Sequence, residues 1–140
     1  MTTPLSIRFD AAVLARLRHR ASAMTGSNVS ALAQRLIDEG LRMADHPGVV
    51  FKDGPSGRRA ALAYGPDIWE IVKFLREVDE RGPAALDAAA EVFAIDAAKV
   101  AAAVSYYGDY RDEIDAEIAD ADDASASAEA AWRVQQQLIA

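Results

Sequence analysis

Residues 4–42 read PLSIRFDAAVLARLRHRASAMTGSNVSALAQRLIDEGLR. From Pro4 to Phe9 the side chains alternate. Leu5, Ile7 and Phe9 fall on one side, Pro4, Ser6 and Arg8 on the other, which is the period of a half-buried strand. Asp10 then stands where a helix N-cap belongs. Ala11 to Thr25 follows at helical period, with Val13, Leu14 and Leu17 apolar and Arg16, Arg18 and Arg20 polar, and Gly26 supplies a C-terminal stop. Ser27, Asn28 and Ser30 offer capping side chains for a second helix, expected to run to about Met43. Its apolar stripe is Val29, Leu32, Ala33, Leu36, Ile37 and Leu41.

One strand and two helices in some 45 residues bury little alone, and a single strand leaves both edges open. A twofold partner repairs both faults. The expected product is a homodimer with Leu5, Ile7, Phe9, Leu32 and Leu36 in a shared core. A two-stranded ribbon of this kind enters the major groove and shows its outward residues to base edges. Arg8 has the fork to take guanine O6 and N7, while Ser6 discriminates weakly. The start of the second helix offers backbone N–H groups to a phosphate.

This stretch resembles the ribbon–helix–helix repressors and antitoxins over residues 3 to about 43. The resemblance implies that Pro4, Ser6 and Arg8 face the bases and that Ser27, Asn28 and Ser30 hold a phosphate. Pro4 departs from the pattern in having no N–H to donate. The fold expected for the chain is mainly α with a short N-terminal β-strand. A ribbon–helix–helix dimer over residues 1–44 is followed by a small winged-helix-like domain over 45–119 (a hairpin and three helices) and a linker with C-terminal tail over 120–140.

The second domain rests on turn signals at His46-Pro47-Gly48, Asp53 to Gly57 and Tyr64-Gly65-Pro66, with short strand-like runs Val49–Phe51 and Ala60–Leu62 between them. Pro66-Asp67 opens a helix to about Glu80. Gly82-Pro83 breaks it, a short helix covers Ala84–Phe93, and Asp96 caps a longer one to about Ala119. The pieces HPGVVF, GRRAAL, DIWEIV and AAAVSYYGDYRDEIDAEI resemble, more weakly, a winged-helix-like family found beside bacterial toxin–antitoxin pairs. A recognition helix over Ala97–Tyr107 would bring only Lys99 to the phosphates, so a scaffold or protein-interaction role suits this domain better.

Residues 120–128 have the small, acidic composition of a linker. The segment AEAAWRVQQQLIA that ends the chain resembles the toxin-wrapping tails of antitoxins. That resemblance implies that Trp132, Leu138 and Ile139 fill grooves on a PIN-type ribonuclease and that Arg133 reaches its acidic centre. The alternative is a tail folded back on its own domain.

Composition bounds what remains. The net charge is −7 over 140 residues. Residues 1–47 carry six arginines against Asp10, Asp38, Glu39 and Asp45, a balance of +2, so the acid is concentrated behind a mildly basic head. There is no cysteine, and His19 and His46 are the only imidazoles. No metal site, cofactor or catalytic residue is expected. Asp109, Asp112, Glu113, Asp115 and Glu117 read as a solvated acidic face, and DGPSGRR at 53–59 lacks the ending of a phosphate loop. No apolar run approaches the ~20 residues that span a bilayer, and a signal-peptide core is missing, so a cytoplasmic protein is expected. The function expected is a type II antitoxin that binds double-stranded operator DNA, represses its own operon and neutralises a toxin. The alternatives are a stand-alone repressor and a helical scaffold that binds no DNA.

Overall fold

The computed structural model describes residues 1–26 and 28–140. Its contacts divide the chain into two compact units, Met1–Arg42 and Met43–Ala140.

The first unit corrects the expected fold class. Residues 1–10 form no strand, and every one of them is exposed. The two strands among the described residues lie in the middle of the chain, at 49–54 and 57–62, amid six helices. The reason is physical. Alternation determines which side chains share a face, but a strand exists only when its N–H and C=O groups are laddered to a neighbour, and nothing in the described chain ladders with Leu5–Phe9. The ribbon–helix–helix description therefore does not stand as the architecture of this chain.

The helices of that unit follow their local signals. Asp10 caps α1 (Ala11–Ser22) by accepting from the Ala12 N–H at 3.2 Å. At its far end the Ser22 hydroxyl donates to the His19 carbonyl at 2.7 Å, and Gly26 takes a φ of +75°, open to glycine without strain. Asn28 caps α2 (Val29–Asp45), its Oδ1 accepting from the Ala31 N–H at 2.8 Å.

In the second unit β1 (Val49–Gly54) and β2 (Gly57–Leu62) pair antiparallel, from Val49 opposite Leu62 to Gly54 opposite Gly57. Gly57 turns the tip at a φ of +107°. The chain leaves β2 through a tight turn in which the Gly65 N–H donates to the Leu62 carbonyl at 3.1 Å. A Cβ on Gly65 would stand 3.0 Å from Leu62 Cβ, so glycine lets the turn close without crowding that side chain.

Helix α3 (Ile68–Glu77) begins with Glu70 accepting from the Asp67 N–H at 2.8 Å, one half of a capping box. Pro83 sits in the first turn of α4 (Pro83–Phe93). Helix α5 (Ala97–Asp109) stops at Tyr110, and α6 (Arg111–Ile139) then runs unbroken through the 120–128 stretch expected to be a linker. Alanine has the highest helix propensity of any residue, and every second or third position of that stretch is alanine, which outweighs its small, acidic character.

Hairpin and helices share one core. Ile68, Ile71 and Val72 of α3 meet Val100, Ala103 and Tyr106 of α5, Ile114 and Ile118 of α6, and Val49 and Leu62 at the base of the hairpin. Each large side chain fully buried there contributes about 1.5–3 kcal/mol. Among the described residues no helix is long and apolar enough to cross a membrane.

Candidate functional site

The expected base-facing residues Pro4, Ser6 and Arg8 are exposed, in the segment that carries no strand. Arg16, Arg18 and Arg20 on α1 are exposed as well. At the expected phosphate clamp, Ser30 is exposed and Asn28 is exposed while capping α2; Ser27 lies outside the described residues. Of the expected dimer core only Leu32 is buried within the unit. Leu36 and Phe9 remain 38% and 39% exposed, and Ile7 and Leu5 more so. Phe9, Val13, Leu17, Ala33, Leu36 and Ile37 instead line an open groove of about 320 Å³, with Arg16 and Arg20 beside it. An apolar groove flanked by arginines thus lies open on the first unit.

The tail residues Trp132, Arg133, Leu138 and Ile139 all lie on α6 and all face solvent, Trp132 at 58% and Leu138 at 86% exposure. Arg133 forms an ion pair with Glu129 one turn earlier, at 2.5 Å. From Asp122 to the end of the chain every position is exposed, so this segment is neither folded back on its own unit nor a loose linker.

The acidic cluster near the α5–α6 junction is more structured than a solvated face. Asp109 meets Nε2 of the buried His46 at 2.8 Å, and Tyr106 and Tyr110 set their rings edge-on to that imidazole. The Tyr106 hydroxyl donates to Glu113 at 3.0 Å. Asp115 accepts from the Tyr107 hydroxyl at 2.9 Å and from Arg76; the Tyr107 bond first, then the two arginines near it, hold its carboxyl below the usual range. Asp112 is exposed, as a solvated acidic face would have it.

Glu117 departs furthest from that reading. It is buried beside Arg59 of β2, whose Nη1 lies 3.4 Å from Glu117 Oε1, while Glu117 Oε2 is buried and has no hydrogen-bond partner. Burial pushes its carboxyl up to about 7; Glu113 and Asp67 add to the rise and Arg59 opposes it. Sequence reasoning missed both the His46–Asp109 and the Arg59–Glu117 pairs. Their partners are 63 and 58 positions apart, and no local pattern links them. One signal was available for Glu117: it continues the Ile114–Ile118 apolar face of α6.

None of these groups forms a catalytic constellation. His46 is buried against two tyrosines and a carboxylate, with no nucleophile beside it. Among the described residues no three His, Asp or Glu side chains gather as metal ligands. Exposed apolar side chains gather at a groove beside arginines in the first unit and at the α6 end in the second. In comparisons with known proteins the chain matches no family model, no curated protein and no solved structure.

Proposed function

We propose that this chain acts by binding rather than catalysis, as a homodimeric DNA-binding regulator of the antitoxin type. Its N-terminal unit binds double-stranded operator DNA and represses the chain's own operon. Its C-terminal helix holds a toxin protein, for which a PIN-type ribonuclease is the proposed identity, and the site of action is the cytoplasm. The observation that carries the reading is the first unit. Its apolar groove is open, four of its arginines are exposed, and its net charge has the sign that phosphates require. A second copy over that groove would double the arginines presented to a duplex. The exposed tail favours an antitoxin over a stand-alone repressor, because Trp132, Leu138 and Ile139 have no cover of their own.

Footprinting on the chain's own upstream region across a salt series tests the DNA half. A regulator protects a palindromic site, with affinity falling steeply as salt rises. Arg8→Ala should weaken specific binding by about 1–3 kcal/mol and leave non-specific binding nearly unchanged. No protected site, or no loss in the variant, would count against the assignment. Removing residues 120–140 should abolish neutralisation of a toxin encoded beside the chain and spare operator binding. Neutralisation that survived the truncation would remove the tail from the reading.

A further inference from the structure

We propose that the cavity beside the hairpin tip binds a small aromatic carboxylate, whose anionic head takes the place of Glu117 as the counter-ion of Arg59. The site lies wholly in the second unit. The inference rests neither on the operator reading nor on the toxin reading.

The cavity measures about 340 Å³. It is lined by Ser56 and Gly57 at the hairpin tip, by Lys52 and Arg59 on the two strands, by Trp69 of α3 and by Ala121 of α6. That size falls in the range of small-molecule sites. Two acids also line it, Asp53 and Asp67, and each already has a partner. Asp53 pairs with Arg58 at 3.3 Å, and Asp67 Oδ2 accepts from the Trp69 indole N–H at 3.2 Å. The second bond also holds the indole at the cavity wall. The groups left to meet a ligand are mainly donors: the Ser56 hydroxyl, the Lys52 ammonium, which gives one N–H to the Gly65 carbonyl at 3.1 Å, and the Arg59 guanidinium. A ligand that suits them has a negative head and a flat apolar body for the indole.

Arg59 decides the class of head. Its Nη1 lies 3.4 Å from Glu117 Oε1, a long contact for a charge-assisted pair, while Glu117 Oε2 is buried without a partner. A fork suited to two parallel bonds thus holds its carboxyl by one edge. Burial is the chief reason that this carboxyl titrates near 7; Arg59 of β2 opposes the rise, and Glu113 of α6 and Asp67 ahead of α3 add to it. When Glu117 is neutral, Arg59 is a largely buried cation short of a counter-charge, a state that costs free energy until an anion enters. Anion binding is therefore linked to uptake of a proton. It is strongest below about pH 7 and is lost as pH rises through that value, when the ionised Glu117 reclaims Arg59.

Titration calorimetry of the full chain with benzoate, whose own charge is constant from pH 6 to pH 8, tests this. Binding should saturate at pH 6 and weaken about tenfold at pH 8, as Glu117 passes from mostly neutral to mostly charged. Glu117→Gln should bind equally at both pH values, with the affinity the parent has at pH 6. Lys52→Gln, a change at an exposed position, should weaken binding severalfold at both and keep the ratio between them. Acetate, which has no ring, should bind severalfold more weakly than benzoate. The chain has two tryptophans, and in nitrogen-resolved NMR spectra at pH 6 benzoate should move the indole signal of Trp69 and leave that of Trp132 in place. Absence of saturable binding at millimolar benzoate would overturn the proposal. So would a parent affinity that ignores pH, or a Glu117→Gln protein that keeps the pH dependence. Acetate binding as tightly as benzoate, or equal movement of both indole signals, would show a general attraction of anions to the surface and overturn it as well.

Discussion

Residues 1–42 and residues 43–140 are both built mainly from amphipathic helices, yet they bury very different amounts. Among the described residues the first unit buries two hydrophobic side chains, Ala21 and Leu32, while the second buries fourteen, from Val49 to Ile118. The stripe along α2 is as well formed as that along α3, but α3 has β2, α4, α5 and α6 to lie against. Leu36, Ile37 and Leu41 remain exposed for want of such neighbours. An apolar stripe is a demand for cover, and within one chain that demand is met for α3 but not for α2. That contrast supports a second copy over the first unit, and it can be broken or sharpened by experiment.

The largest effect is expected in the second unit. Ile71 is fully buried between α3 and its neighbours, so Ile71→Ala should cost about 2–5 kcal/mol, measured by urea denaturation of the full chain. A loss below about 1 kcal/mol would show that the core is looser than its burial implies. In the first unit the informative position is Ile37, which lines the groove and is 48% exposed. Ile37→Asp should be nearly silent if one copy is all there is, since surface changes usually stay within about 0.5 kcal/mol. With a second copy seated there it buries an unpaired charge at the interface. The protein should then turn monomeric and its first unit lose about 2–4 kcal/mol. Sedimentation equilibrium separates the two outcomes.

The same contrast explains what the sequence disclosed. Caps and stops were legible because they are local: Asp10, Gly26, Asn28, Asp67 and Pro83 each act within a turn of their own position. The hairpin was legible because turn residues bracket two short runs, and those runs pair antiparallel. The N-terminal segment differs from its expectation because alternation sets only which side chains share a face, while the ladder expected of it was to come from a second copy, and within this chain residues 1–10 form no strand. Residues 120–128 have the composition of a linker but form helix, because alanine's helix propensity outweighs their small, acidic character. Of the candidate site, single residues were legible, but the groove needs Phe9, α1 and α2 in space together, and the Arg59–Glu117 pair joins elements 58 positions apart.

Glu117 offers a third test, confined to the well-covered unit and smaller than the first two. Its carboxyl titrates near 7 in the folded protein, above the ordinary carboxylate value of an unfolded chain. The folded state therefore binds a proton more tightly than the unfolded state. The stability this contributes is fully present below about pH 4.5 and is lost as pH rises through about 7. Above pH 7 the protein carries a buried charge with one oxygen unpartnered. Glu117→Gln should then stabilise the second unit by about 1–2 kcal/mol at pH 8, the gain being limited because Arg59 loses its counter-charge. Near pH 4 the difference should vanish. A variant less stable than the parent at pH 8 would show that the ion pair outweighs the desolvation.

The smallest effect is also local. Ala94 ends α4 in the left-handed conformation, φ 54° and ψ 46°, where its N–H reaches back to the Ala90 and Glu91 carbonyls. Glycine takes that conformation without the Cβ clash and is the commonest residue at such helix ends. Ala94 is exposed, so removing its methyl opens no cavity. Ala94→Gly should therefore stabilise by about 0.5–1 kcal/mol, somewhat reduced by the extra freedom glycine has in the unfolded chain. The change sits in the second unit alone. If the two units melt separately, as their unequal cores suggest, only the higher transition should move, upward by a few degrees, while the lower one stays in place. A single transition that shifts as a whole would mean that the thin unit and the full one unfold together. The first unit would then draw its stability from the rest of the assembly rather than from its two buried side chains.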